Sequence, residues 1–228
     1  MPLGCAGTMI SDRHVLTAAH CFIKKDCERD SLSEIFARRN WKVYYGGGCL
    51  PFARHTCSTF QQIARSVYIQ KIVIPADYLT GPCLHNDIAI VTTRLRMLKL
   101  TTQMKQVTSL AKINLTRITC LREKWIFDDQ ICTSEMQESN ICSGDSGSGL
   151  MFETDHGKWN IAGIASAGTD CRTINMAIKG IETPTNVDQL DGGIFIDVRA
   201  HNDFICQYSG LCFGKKPGNR PKIKTVLL

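Results

Sequence analysis

Residues 140–150 read NICSGDSGSGL, and this stretch sets an acid and a serine within a run of glycines. Glycine adopts backbone conformations that a β-carbon disfavours. Gly144, Gly147 and Gly149 therefore predict a tight, bent loop with Ser146 exposed at its bend. A serine hydroxyl becomes a useful nucleophile when a base takes its proton and nearby donors stabilise an oxyanion. Taken alone, the stretch is more typical of a flexible glycine-serine loop, so the base must be sought elsewhere in the chain.

Two further positions are candidates for the base and for the acid that orients it. His20 lies in VLTAAHC, residues 15–21, where an apolar β-rich run meets small residues. Asp87 lies in HNDIAIV, residues 85–91, at the mouth of an apolar run, where a charge without a partner is costly. The alternatives remain open at this point. A lone histidine near an apolar run is usually a core or surface residue, and such an aspartate is often a cap or turn residue.

The composition indicates a disulfide-bonded globular protein. The chain has 228 residues, 43% of them hydrophobic, enough for one large or two small domains. Its 12 cysteines run from Cys5 to Cys212 without close CxxC pairs, which favours disulfides over a zinc site. The chain contains no run of about 18 apolar residues, so the sequence predicts no membrane-spanning helix. The start, MPLGCAGTMISDRH, does not resemble a signal peptide, so we expect a fragment of a secreted chain.

The net charge of +6 is concentrated in the C-terminal residues 214–224, GKKPGNRPKIK. Such basic tails are mostly solvated and unstructured, and binding to an acidic surface is a less favoured alternative. No interleaving of basic and aromatic residues suggests nucleic-acid binding.

Short runs rich in β-branched residues predict an all-β sandwich or barrel. Each run is bounded by Gly, Pro, Asn or Asp, as in HVLTA, WKVYY, SVYIQKIVI, DIAIVTT, WNIAGIAS and GIFIDV. One short helix is predicted within residues 27–40 and another within residues 199–208. The polar, threonine-rich segment from residue 95 to residue 112 is interpreted as a connection between two halves.

Taken together, TAAHC, NDIAIV and GDSG in this order resemble the trypsin/chymotrypsin family of serine endopeptidases. The similarity extends to CAGTMISDRHVLTAAHC, GIASAGTDC and GGIFIDVRAHNDFI, about half of the chain. It implies two six-stranded antiparallel Greek-key barrels with the first strand missing and a short C-terminal helix. It further implies a single peptidase domain over residues 1–228. The domain would divide into a first barrel at 1–94, a crossover at 95–112, a second barrel at 113–205 and a basic tail at 206–228.

The resemblance also implies a role for each matched residue. Ser146 would attack a peptide carbonyl, His20 would transfer the proton, and Asp87 would orient the imidazole and stabilise its cation. The backbone N–H groups of Gly144 and Ser146 would form the oxyanion hole. Ser166 would lie near Asp87 and line the substrate cleft. Three disulfides are implied as well: Cys5–Cys21, Cys142–Cys171 and Cys120–Cys132.

The substrate pocket implied by the resemblance has Asn140 at its floor, where trypsin-type enzymes have an aspartate. Gly168 and Gly193 would keep its walls open, and Ala167 stands where the family often has tryptophan. We therefore expect a preference for large apolar or uncharged side chains before the scissile bond rather than strict Arg/Lys specificity.

The chain departs from the family pattern in places. It begins just before Cys5, so we expect Asp145 to lack the N-terminal ammonium that pairs with it in the family, leaving a costly unpaired buried carboxylate and a malformed oxyanion hole. Residues 93–141 are few for a crossover and several strands. The long interval between the candidate base and acid contains Cys27, Cys49, Cys57 and Cys83, whose three possible pairings stay open, as does the pairing of Cys206 and Cys212. Asn114 begins NLT, an N-glycosylation acceptor.

Two functions are therefore weighed. The first is a secreted serine endopeptidase without cofactor or metal, monomeric, acting on protein or peptide substrates and open to protein inhibitors. The second is a catalytically incompetent trypsin-like domain that serves as a secreted binding module. A cytosolic metal protein is a third and far weaker interpretation, because it would need bound zinc and free thiols.

Overall fold

The computed structural model describes residues 5–27, 31–35, 41–49, 63–97, 113–120, 127–134, 140–178, 192–213 and 223–227. Their main elements are two antiparallel sheets and a separate hairpin, with few and short helices. The all-β prediction is confirmed, and the sheets agree with the two-barrel arrangement that the resemblance implies. Within the described ranges, no helix combines the length and apolar character needed to cross a membrane.

The first sheet has six described strands, all paired antiparallel. They are β1 Thr8–Met9, β2 His14–Thr17, β5 Lys42–Tyr45, β6 Arg65–Pro75, β7 Ala89–Thr93 and β13 Thr225–Leu227. Their order across the sheet is β1-β2-β7-β6-β13, with β5 also paired to β6. A separate antiparallel hairpin is formed by β3 Ile23–Asp26 and β4 Ser31–Ile35.

The second sheet has five described strands. They are β8 Arg117–Ile118, β9 Gln130–Thr133, β10 Gly149–Glu153, β11 Trp159–Ala167 and β12 Gly193–Asp197. Their order across the sheet is β10-β11-β12-β9-β8. The described helices are a 3-10 turn at Ala19–Cys21, α1 Ala76–Thr80, α2 Cys171–Ile178 and α3 Asn202–Ser209.

The central strands β2 and β7 of the first sheet are buried on both faces, and the alternation of side chains along them explains how. Val15 and Val91 pack into the core of the first half, whereas their neighbours Leu16 and Ile90 point the other way. That second face packs against the second sheet and α3. The cluster there includes Ile164, Ile196 and Phe204. Strands buried on both faces read as near-continuous apolar runs, which is the pattern of IAIV, residues 88–91, at the start of β7.

One local prediction is confirmed, and the described residues depart from two others in part. Helix α3 lies within the predicted interval 199–208 apart from its last residue. Residues 31–35, SLSEI, form a strand instead of part of a helix, since they pair with β3 across a hairpin. The predicted basic tail is partly structured: Thr225–Leu227 pair with Val73–Pro75 of β6. Residues 98–112 of the predicted connection and residues 214–222 of the tail lie outside the described part of the chain.

Candidate active site

Strand pairing brings His20 and Asp87 together from distant positions in the chain. β2 runs antiparallel to β7 with Thr17 opposite Ala89, so the end of one strand lies beside the start of the other. The 3-10 turn after β2 carries His20, and Asp87 stands two residues before β7. The disulfide between Cys21 and Cys5 anchors the histidine turn on the residues that precede β1.

Three hydrogen bonds converge on the carboxylate of Asp87. His20 Nδ1 lies 2.7 Å from Oδ2, and the backbone N–H of His20 donates to Oδ1 at 2.8 Å. The hydroxyl of Ser166 donates to Oδ2 at 2.5 Å. Asp87 is only 1% exposed, so both carboxylate oxygens are shielded from water. The carboxylate is thereby held in one orientation against the imidazole.

This pair shifts the pKa of both of its members toward the charged forms. Burial alone would lower the pKa of His20, but the charge of Asp87 and its hydrogen bond raise that pKa above the ordinary value. Burial alone would raise the pKa of Asp87, but His20 and the hydroxyl of Ser166 lower that pKa below the ordinary value. The carboxylate is therefore ionised at neutral pH, and it favours the imidazolium that a proton transfer would create.

The loop that carries Ser146 is tied to the same region by backbone hydrogen bonds. The Ser146 carbonyl accepts from the N–H of Ala6, the neighbour of bridged Cys5, at 2.8 Å. The N–H of Gly147 donates to the Ala165 carbonyl at 2.8 Å, next to Ser166. Gly147 has φ +85°, and a β-carbon there would overlap Thr17 and the Ala6 carbonyl. The close approach between loop and strand thus requires glycine, as the sequence predicts for a bent loop.

No hydrogen bond joins the Ser146 hydroxyl to the His20 imidazole among the residues that the structure describes. In ligand-free enzymes such bonds are often long and shorten when substrate binds.

The candidate oxyanion-hole donors are unengaged. Gly144 has φ +105°, a conformation that glycine adopts readily. In the described part of the chain, neither its N–H nor that of Ser146 donates to a protein acceptor. The expectation of a buried, unpaired Asp145 was wrong, because Asp145 is exposed and accepts a hydrogen bond from the N–H of Cys142 at 2.8 Å. The four-residue turn Cys142–Asp145 satisfies this carboxylate locally.

A cavity of about 240 Å³ opens beside Ser146. Its lining includes both Ser146 and Ser166. The candidate nucleophile and the serine that donates a hydrogen bond to Asp87 therefore face the same cavity. Most of the remaining lining residues are polar or small: Cys142, Ser143, Asp145, Ala165, Ala167, Gly168, Thr169 and Asp170, with Ile141 as the large apolar one.

Ile141 lies between two glycines of the predicted substrate pocket. Gly168 lines the cavity beside Ser146, whereas Asn140 and Gly193 line a smaller space with Leu115. A β-carbon on Gly168 would lie 3.4 Å from Ile141 Cγ1, and one on Gly193 would lie 3.1 Å from Ile141 Cδ1. The isoleucine side chain therefore occupies the gap between the two glycines. Sequence reasoning missed this residue, because its position next to Asn140 does not reveal where its side chain points.

The disulfides connect the loops around the site. The three implied pairs are bonded, and Cys27–Cys83 and Cys206–Cys212 are bonded too. Cys49 is also disulfide-bonded, and Cys57 lies outside the described residues. Cys5, His20 and Cys21 bring possible metal-ligating atoms close together, but both sulfurs are engaged in one disulfide, so no thiolate is available there.

Comparison with known proteins identifies the family. The family model described as Trypsin matches residues 2–111 and 98–189. The chain belongs to the trypsin family. Trypsin-like protease try-5 of Caenorhabditis elegans is 28% identical over 90% of this chain and 77% of that protein. Phenoloxidase-activating factor 3 of Holotrichia diomphalia is 28% identical over 75% of this chain and 58% of that protein. Chymotrypsin-C of Bos taurus is 24% identical over 89% of this chain and 77% of that protein.

Proposed function

We propose that this trypsin-family chain is a serine endopeptidase that cleaves peptide bonds through an acyl-enzyme intermediate. Ser146 attacks the scissile carbonyl while His20 takes its proton and later delivers it to the leaving amine. Asp87 holds the imidazole in the tautomer that leaves Nε2 free to accept that proton. The N–H groups of Gly144 and Ser146 stabilise the oxyanion, each such donor being worth about 3 kcal/mol in the transition state.

The observation that carries the proposal is the buried Asp87 carboxylate with its three donors. A charge buried at 1% exposure is costly unless it is paired and hydrogen-bonded. Here two of the donors come from His20, and the third comes from Ser166, which lines the cavity beside Ser146. A carboxylate, an imidazole, a serine and a cavity are the parts that acyl transfer requires.

We further propose that the residue before the scissile bond is uncharged. Asn140 supplies no carboxylate at the position that the family uses to bind Lys or Arg. Ile141 restricts the depth of the space between Gly168 and Gly193, which favours a medium-sized apolar side chain over the large one expected from the sequence. A peptide-library profile dominated by Arg and Lys would contradict this specificity.

Labelling with a fluorophosphonate probe tests the activity, because the probe reacts only with a serine that has been activated as a nucleophile. We expect the wild-type protein to be labelled and Ser146→Ala to be unlabelled. Ser148→Ala is the matched control, since it removes a hydroxyl from the same glycine-rich loop two residues away. Absence of labelling in the wild type, together with tight binding of a protein partner, would instead favour the non-enzymatic binding module.

The protein is proposed to act outside the cell, which agrees with its disulfides and its family. Asn114 of the NLT triplet is exposed and accessible to a glycosyltransferase. When the chain is routed through a secretory pathway, glycosidase treatment should increase its electrophoretic mobility. Asn114→Gln should abolish that shift. An unshifted wild-type protein recovered from the medium would contradict glycosylation but leave the activity untouched.

A further inference from the structure

The segment that leads into Asp87 has a backbone that is unfavourable on its own. Leu84 has φ +66° and Asn86 has φ +55°. Residues with a β-carbon rarely adopt this left-handed region, and leucine does so less readily than asparagine. Two such residues among the three that precede Asp87 therefore need other parts of the protein to hold them.

The start of β9 in the second sheet supplies that support. Asp129 Oδ2 accepts a hydrogen bond from the N–H of Asn86 at 2.9 Å. Gln130 Nε2 donates to the carbonyl of Leu84 at 3.3 Å. Between these bonds, the rings of His85 and Phe127 are in contact, with centroids 4.8 Å apart. Residues 127–130 thus contact each of residues 84, 85 and 86.

Asp129 is itself firmly anchored. Its Oδ2 also lies 3.0 Å from His201 Nε2, at the residue before α3, and its carbonyl accepts from the N–H of Asp197 at 2.7 Å. Asp129 is 5% exposed and His201 is 7% exposed. Hydrogen bonds to a charged acceptor shielded from water are stronger than neutral ones. Asp129 therefore connects the helix and sheet of the second half to the segment that carries Asp87.

The other oxygen of Asp129 has no hydrogen-bond partner among the described residues, although it is buried. His85 Nε2 is 3.9 Å away, beyond hydrogen-bonding distance. The contacts to Asn86 and His201 use a single oxygen, which an asparagine carbonyl could replace.

We propose that Asp129 is a positioning residue that acts through Asn86 to hold Asp87 against His20. The proposal rests on the role of Asp87 in the proposed function. Asp129 lies in the second half of the protein and fixes the left-handed segment 84–86 of the first half. It thereby determines the position of the Asp87 carboxylate relative to the His20 imidazole. Small displacements in a catalytic site can cost about 100-fold in rate. Loss of the Asp129 hydrogen bonds therefore slows the attack by Ser146 without removing any reacting group.

The test compares Asp129→Ala with Asp129→Asn and with Asp128→Ala, a control at the exposed neighbouring residue. The rate constant of fluorophosphonate labelling and the downfield proton resonance of His20 Nδ1–H, assigned by its loss in His20→Ala, are both measured. We expect Asp129→Ala to label about 10- to 100-fold more slowly and to shift or broaden the resonance. Asp129→Asn should label within about threefold of wild type, because its carbonyl keeps the shared acceptor. Asp128→Ala should match wild type.

A merely structural role would lower the melting temperature but leave the His20 resonance and the labelling rate of the folded protein unchanged, and this result would overturn the proposal. If Asp129→Ala does not fold, Gln130→Ala removes only the bonds made by one partly exposed side chain, and it should slow labelling in the same direction by a smaller factor. A wild-type resonance and rate in that variant would also overturn the proposal. Should the wild-type protein fail to label at all, the proposed function fails, whereas the resonance of His20 still tests the positioning.

Discussion

Replacing Asp87 by asparagine tests the candidate triad most directly, because the change keeps the size of the side chain but removes its charge and alters its hydrogen bonding. As a carboxylate, Asp87 accepts from the backbone N–H of His20 through Oδ1 and from His20 Nδ1 and Ser166 through Oδ2. An asparagine can place its carbonyl at only one of these two positions.

The two orientations of the introduced amide have different costs. If its NH₂ group faces the backbone of His20, two buried donors meet, and an unsatisfied buried donor costs about 1–3 kcal/mol. If its NH₂ group faces His20 Nδ1, the imidazole is forced to carry its proton on Nε2, while the Ser166 hydroxyl can rotate to accept. The second orientation is therefore favoured, and it leaves Nε2 unable to take the proton of Ser146.

The expected loss is about 10⁴-fold in the rate of the chemical step, which corresponds to about 5 kcal/mol of transition-state stabilisation. The assay is the rate constant of fluorophosphonate labelling, with folding checked by the melting temperature. Asp155→Asn, in the exposed turn between β10 and β11, is the control and should react like wild type. A labelling rate of Asp87→Asn within about tenfold of wild type would refute the role assigned to the carboxylate.

Three further predictions concern the base, the pocket and the nucleophile loop. Asp87 raises the pKa of His20 above its ordinary 6.5, and only the neutral imidazole accepts a proton. The rate of fluorophosphonate labelling should therefore fall on acidification with a midpoint above pH 6.5. A midpoint at or below pH 6.5 would contradict the raised pKa. Ile141→Ala should raise kcat/KM for peptides with a larger side chain before the scissile bond by about tenfold in a peptide-library profile, and an unchanged profile would show that Ile141 does not limit the pocket. Gly147→Ala should lose about 1–3 kcal/mol in the free energy of unfolding, since its β-carbon meets neighbouring atoms at φ +85°. Gly210→Ala at φ +75°, with open space around it, should lose less in the same denaturant titration.

The main features of the candidate site are readable from short stretches of sequence. Glycines around Ser146 are local signals, because positive φ angles and a close approach of backbones exclude most side chains whatever the rest of the fold. The apolar run after Asp87 likewise predicts a buried strand with a charge at its mouth. The order of these motifs was enough to recognise the family, and helix α3 was found from its local sequence.

What the sequence could not decide depends on contacts between distant residues. The pairing of Cys27 with Cys83 is one of three possible arrangements of four cysteines, and only the folded chain selects it. The strand Thr225–Leu227 forms because an edge of β6 accepts it, although its basic surroundings indicated a solvated tail.

Composition and strand patterns thus determined the class of fold, because local backbone preferences depend on neighbouring residues, and the order of the motifs, through the resemblance to the trypsin family, indicated the residues of the candidate triad. Tertiary structure alone decided that Ile141 occupies the gap between Gly168 and Gly193, and that Asp129 supports the segment before Asp87. The physical reason is that side-chain direction and long-range hydrogen bonding follow from how the two sheets pack. Residues far apart in the chain become neighbours only once that packing is complete.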